Sequence, residues 1–240
     1  MSQAVAGSGD LLERAEPLAA LEHHFAAVAT SSVGRFVFIG GEAGVGKTSL
    51  GRRFCANQSV RILSGACDAL ATPHPLGPLL DIARTTAGDL EGMIVRGGRP
   101  HEVAAAFLDQ LRAGPRCVVI LEDLHWADDA TLDVVRLLAR KVESAPVLAV
   151  ATYRDDQLDR THPLRMLIGD IATSPAVARL SLGPLSAAAV ADLASPYGLD
   201  AAELYRKTGG NPFFVTEVPV GSAFPGDGAG PIVQRTITVS

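Results

Sequence analysis

With 240 residues, 48% of them hydrophobic and 5% aromatic, the chain is long enough to bury a sizeable core without staples, as one large or two modest domains. Its formal net charge of −5 excludes the basic footprint of a nucleic-acid surface. No apolar run approaches the roughly 18 residues of a membrane span, and no basic segment leads into an apolar one as in a secretory leader.

Three widely spaced cysteines, Cys55, Cys67 and Cys117, do not suit a disulfide framework or a zinc knuckle. They read as reduced thiols of a soluble, cytoplasmic protein. The first ten residues are small and polar and are expected to be disordered. Within Leu11 to Ala29, the residues Leu18, Leu21, Phe25 and Val28 recur at helical spacing, which predicts an amphipathic helix with Arg14 near its start.

Phe36-Val37-Phe38-Ile39 reads as a short buried strand and Thr48 to about Asn57 as a helix. Between them, Gly40 to Ser49 fits G-x-x-x-x-G-K-[ST] in the strand-to-helix setting that a phosphate-binding loop requires. Gly41, Gly44 and Gly46 admit backbone dihedrals closed to other residues. Successive N–H groups, those of Glu42, Ala43, Val45 and Ser49 among them, can then converge on phosphate oxygens at a helix N-terminus. Lys47 supplies full charge toward the β- and γ-phosphates. The Thr48 hydroxyl is placed for Mg2+.

Val60 to Leu63 is a second candidate strand, followed by Pro73, Pro75 and Pro78, which forbid regular structure until a short helix from Leu79 to Thr86. Gly92 to Gly98 reads as irregular, and a helix is expected from His101 to Arg112. Cys117 to Leu121 is a continuous apolar run with Glu122 and Asp123 directly after it, the pattern of a central parallel strand carrying acids to its C-terminal edge. One carboxylate there can hold a Mg2+ shell while its neighbour orients the attacking water. Neighbouring strand residues point to opposite sides, so two separate tasks are expected. Asp128 or Asp129 caps the next helix.

Val147 to Thr152 is another buried strand, and Arg154 follows it. At a strand's C-terminal edge beside a phosphate site, this guanidinium can sense the terminal phosphate; equally, it can pair with Asp155 or Asp156 at the surface. Pro163 suits the first position of a helix, and Val177 to Leu182 reads as a further strand. Gly183-Pro184 marks a boundary, because only helices are predicted beyond it. One starts at Ser186, a second carries the Asp200-to-Glu203 capping box and ends at Gly209-Gly210, and a third opens at Asn211-Pro212. From Pro219 onward no periodicity is visible, and the tail is expected to be disordered.

The pieces GEAGVGKTSL, CDALATPHPLGPLLDIA, VVILEDLHWADDATLDVVRLLAR, ATYRDDQLDRTHPLR and TGGNPFFVTE, spread over Leu12 to Val218, resemble the nucleotide-binding region of the large LuxR-type regulators. These belong to the AAA-related signal-transduction ATPases with numerous domains, the STAND class. The resemblance implies an α/β P-loop NTPase with a five-stranded parallel sheet flanked by helices and a small C-terminal helical lid. In that sheet, the strand leading to Arg154 lies between the phosphate-loop strand and the Glu122-Asp123 strand. The division implied is an ATPase domain over 11–184, a lid over 185–218 and a divergent tail over 219–240.

By the same resemblance, Glu122 and Asp123 stand for the Walker B acids, with Asp123 favoured for the water, and Arg154 for the first sensor arginine. Pro212 is implied to touch adenine and Arg14 to lie near the base, with Glu13 where a glycine is often found. The regulators continue into a winged segment, helical repeats and a DNA-binding helix-turn-helix, none of which follows here, so a truncated product or excised module is expected. The expected function is a regulatory switch that binds ATP or ADP with Mg2+, hydrolyses ATP slowly, and works through protein partners or self-association without nucleic acid or membrane. A small-molecule kinase and a non-hydrolysing interaction fragment are the alternatives.

Overall fold

The computed structural model describes residues 11–69, 74–217, 219–220 and 235–236. Among them, five parallel strands form one sheet: β1 Arg35–Gly40, β2 Arg61–Ala66, β3 Cys117–Glu122, β4 Val147–Thr152 and β5 Val177–Ser181, in the spatial order β2-β3-β4-β1-β5. As expected, β4 lies between the phosphate-loop strand β1 and the acid-bearing strand β3. In register, Phe36 pairs with Ala149 on one side and Val177 on the other. Every residue of β4, and all of β1 after Arg35, is buried, which is why these strands read as unbroken apolar runs rather than alternating ones.

Helix α1 Ala15–Ser31 leads into β1, and the crossovers between the strands carry α2 Lys47–Ala56, α3 Gly77–Thr85, α4 Leu90–Val95, α5 Pro100–Ala113, α6 Asp129–Lys141 and α7 Pro163–Ile171. Phe36 and Phe38, stacked with ring centres 4.6 Å apart, join the apolar faces of α3 through α7 in a single core. Helices α1 and α2 meet edge-to-face through Phe25 and Phe54. Asp128 is the cap of α6, accepting from the Ala130 N–H, and Pro163 opens α7 behind His162.

Two helices differ from expectation. Helix α4 forms where an irregular glycine-rich stretch was expected, because Leu90 and Ile94, one turn apart, are both buried and together outweigh the roughly 1 kcal/mol helix penalty of Gly92. Helix α1 begins at Ala15 rather than Leu11, because Glu13 holds a left-handed backbone with φ 54° that no helix can contain.

The described residues fall into two compact units. The larger comprises Pro17–Ala43 and Lys47–Leu182; the smaller takes in residues 11–16, Gly44–Gly46 and the described residues from Gly183 onward. The smaller unit holds α8 Ala187–Ala194, α9 Ala201–Thr208 and α10 Pro212–Glu217 around Leu185, Val190, Leu204 and Val215, with Leu12 packed against them. Ser186 and Asp200 cap α8 and α9 as the sequence predicts, and Gly209 ends α9 in a left-handed conformation. Pro219–Val220 and Arg235–Thr236 pair as two short antiparallel strands. The remainder of the expected disordered tail, and the first ten residues, lie outside the described residues.

Gly65 in β2 is fixed by close approach: a Cβ there would collide with the carbonyl of Pro78 at the start of α3. Because a backbone atom cannot turn aside, Gly65→Ala is expected to destabilise the chain by about 1–3 kcal/mol. A urea midpoint equal to that of the parent chain would contradict it.

Candidate functional site

Lys47 opens α2, so the loop before it leads directly into a helix N-terminus. Gly44 and Gly46 hold φ of 79° and 94°, which other residues reach only with strain. The Lys47 side chain is only 7% exposed, and its Nζ donates to the carbonyls of Gly41 (2.6 Å) and Glu42 (2.7 Å). Burial lowers its pKa, opposed by the field of Asp123 and reinforced by that of Arg154. One residue on, the Thr48 hydroxyl donates to Glu122 Oε2 at 3.1 Å. Glu122 is the last residue of β3, so the strand end and the start of α2 meet through this pair.

Asp123 does not continue the strand. Its backbone turns into the left-handed region (φ 56°, ψ 44°) and leads into a single 3-10 turn over Leu124–Trp126. Strand alternation therefore stops at Glu122, and the orientation expected for Asp123 from an extended chain does not apply. Its N–H donates to Thr152 Oγ1 at 3.0 Å. Thr152 was not singled out from the sequence; its signal was a lone hydroxyl at the end of an otherwise apolar strand. Arg154 is half-buried just beyond β4, and among the described residues no ion pair joins it to the exposed Asp155 or Asp156.

His125 packs between these two strand ends. It is 5% exposed, its Nδ1 accepts from the Arg154 N–H at 3.4 Å, and its Nε2 is buried with no partner among the described residues. Burial lowers its pKa to about 4; Asp123 and Asp156 favour the charged ring, while Arg154 and Lys47 oppose it. An unfolded histidine titrates near 6.5, so between pH 6.5 and 4 unfolding takes up a proton. The stability held above pH 6.5 is thus lost as the pH falls, by up to about 3 kcal/mol. The melting temperature of the parent chain should fall more steeply between pH 7 and 4.5 than that of His125→Asn. Parallel pH curves for the two would refute this.

A second group of expected site residues lies within the smaller unit. The Arg14 guanidinium, 7% exposed, donates to the carbonyls of Val45 (3.0 Å), Gly183 (2.7 Å) and Glu13 (3.1 Å). Next to it, the Glu13 carboxylate accepts from both the N–H and the hydroxyl of Ser186, and these bonds lower its pKa. The positive φ of Glu13 gives a physical reason for the glycine expected at its place: glycine takes that conformation freely, whereas Glu13 is held in it by Ser186. Pro212 begins α10. The Phe213 N–H behind it is shared between Asn211 Oδ1 (3.1 Å) and the Gly44 carbonyl (3.3 Å). A Cβ on Gly44 would press on Asn211 and Phe213, so that glycine serves packing as well as backbone shape.

A threonine hydroxyl beside a carboxylate oxygen is the hard oxygen set that Mg2+ takes, and a buried ammonium on a glycine-bent loop is the counter-charge a polyphosphate needs. The residues therefore fit a magnesium-bound nucleoside triphosphate. No helix of the described residues is long and apolar enough to cross a membrane.

The family model described as AAA ATPase domain matches residues 10–150. No curated protein matches the chain. Among solved structures, the chain is similar to a Walker-type ATPase of Pyrococcus abyssi at 15% identity and TM-score 0.54, covering 86% of this chain and 66% of that one. It is also similar to a STAND protein with a tetratricopeptide repeat sensor from Pyrococcus horikoshii, at 17% identity and TM-score 0.50, covering 86% and 30%. A RuvB variant of Thermotoga maritima matches at 17% identity and TM-score 0.46 over 84% of this chain, which spans 59% of the RuvB chain. The Pyrococcus abyssi and Pyrococcus horikoshii likenesses show the fold: an α/β P-loop NTPase fold, which in this chain is a five-stranded parallel sheet flanked by helices.

Proposed function

This chain belongs to the AAA ATPase domain family and is a nucleotide-dependent P-loop ATPase module, and on that footing we propose that it is a regulatory switch. In this reading it binds ATP with Mg2+, hydrolyses it slowly and changes state when the γ-phosphate leaves. The relation to the nucleotide-binding region of LuxR-type regulators, the division into an ATPase domain over 11–184 and a lid over 185–218, and protein partners or self-association belong to the same proposal.

The observation that carries it is the bond from Thr48 Oγ1 to Glu122 Oε2, with Lys47 next in the chain. It brings the phosphate-loop hydroxyl and the strand-end acid into contact, which a glycine-rich turn of no function would not require. Thr48 and Glu122 would hold Mg2+, which when bound supplies neutralising charge on the phosphate oxygens. Lys47 binds the β- and γ-phosphates, and the loop amides from Gly41 to Ser49 orient them. Asp123 is left to accept a proton from the attacking water at its carboxylate, as the P–O bond to the ADP leaving group breaks. Arg154 stabilises charge on the γ-phosphate, and Arg14 and Pro212 are the proposed base-side residues.

The test is the nucleotide content of the purified chain together with its Mg2+-dependent turnover of γ-labelled ATP. The expected result is co-purified ADP and turnover on the order of 10⁻⁴–10⁻² s⁻¹, the range of P-loop switches without an arginine supplied in trans. The label should appear as inorganic phosphate. Label on a small metabolite would point instead to a kinase, and a chain without nucleotide or turnover would defeat the switch.

A further inference from the structure

The ladder between β3 and β4 ends at the pairing of Leu121 with Ala151. Past that point the two strand ends are joined by two hydrogen bonds running in opposite senses. The Asp123 N–H, from the β3 side, donates to Thr152 Oγ1 of β4, while the Arg154 N–H, from the β4 side, donates to His125 Nδ1 in the turn after β3. Each side chain takes a backbone donor from the other strand's end. Since Nδ1 accepts, the His125 proton sits on Nε2, and the neutral ring is the form that burial favours.

The two residues fixed in this way are the ones whose side chains have work to do at the γ-phosphate in the proposed function. One of them, Asp123, holds a left-handed backbone, which aspartate tolerates better than most residues but which its partner at Thr152 helps to select. A histidine whose Nε2 is buried without a partner among the described residues, and a threonine hydroxyl ending a fully buried strand, are polar groups that a sheet core does not need for packing.

We propose that Thr152 and His125 are positioning residues: a reciprocal clasp that fixes Asp123 against Arg154 and thereby sets the preference of the site for ATP over ADP. The inference rests on the switch reading. Its conservative and disruptive variants are well separated by chemistry. Thr152→Ser keeps the hydroxyl and Thr152→Val removes it at similar volume. His125→Asn offers an oxygen near the place of Nδ1, and His125→Phe fills the space with no acceptor.

The experiment measures dissociation constants for MgATP and MgADP in the full chain, with backbone amide exchange and melting temperature for each variant. Thr152→Val and His125→Phe are expected to lose about 5- to 10-fold in ATP-over-ADP preference, the size of one hydrogen bond, with ADP affinity held within about twofold. Thr152→Ser and His125→Asn should retain the preference. Exchange should quicken at the Asp123 amide in Thr152→Val and at the Arg154 amide in His125→Phe. Unchanged preference in both disruptive variants overturns the clasp, as does an equal loss in the conservative pair, which would make the effect one of packing. A parent chain that binds both nucleotides equally defeats the switch reading and the nucleotide role of the clasp together, while the exchange data still decide whether the two amides are held as described.

Discussion

Lys47→Ala is expected to weaken MgATP binding by at least about 100-fold. Its ammonium is held at the loop by the carbonyls of Gly41 and Glu42, at 2.6 and 2.7 Å, which keep a full charge where the phosphates would lie. Charge-assisted hydrogen bonds contribute about 1.5–3 kcal/mol each, so losing two phosphate contacts removes about 3 kcal/mol or more, beyond a factor of 100. Alanine also takes away a cation whose charge burial already disfavours, so the fold should tolerate the change better than the binding does. Calorimetric titration with MgATP reads the loss directly. An affinity within threefold of the parent chain would refute the assignment of Lys47.

Asp123→Asn is expected to separate binding from turnover. The amide matches the carboxylate in shape, tolerates the left-handed backbone as aspartate does, and leaves the N–H bond to Thr152 in place. Only the negative charge and the proton acceptor are lost. Hydrolysis should fall by about 10²-fold or more, the contribution of a positioned general base, while the dissociation constant for MgATP stays within about threefold. Parent-like turnover would move the water-activating role to Glu122, whose bond to Thr48 instead favours the metal shell. Adjacent carboxylates in the sequence would then have exchanged tasks.

The three central strands β1, β3 and β4 were readable in the chain because they are buried on both faces. Unbroken runs such as Cys117 to Leu121 and Val147 to Thr152 are too short for a buried helix and too apolar for a loop, and β4 has the limits its run suggests. Sheet order came from the motif resemblance rather than from periodicity, since parallel neighbours leave no local mark. Helix α4 was hidden by Gly92: two buried anchors a turn apart are too faint a pattern to read through a glycine. At the candidate site, the phosphate loop and the strand-end acids stood out in the sequence because they are local patterns. Their arrangement did not, because Asp123 leaves the strand at a left-handed residue that no spacing predicts. The roles of Thr152 and His125 as backbone acceptors depend on contacts across strands, which leave no local pattern in the sequence. Glu13 stood out only as a departure from a glycine, and the structure turns that departure into a bond with Ser186.

The position of β1 in the sheet bears on how the protein is made. In the described sheet its neighbours are β4 and β5, both encoded far downstream, whereas β2 and β3 lie on the other side of β4. During synthesis, Phe36 to Ile39 leave the ribosome early and have no strand to pair with until Val147 onward has emerged. The second edge stays open until Ser181. Long-range parallel pairing of this kind is slow and leaves an apolar strand open to association with other chains in the interval. The most recognisable motif of the chain is thus among the last parts to acquire its shape, and nascent chains stalled before β5 are the species on which chaperones would be expected to act.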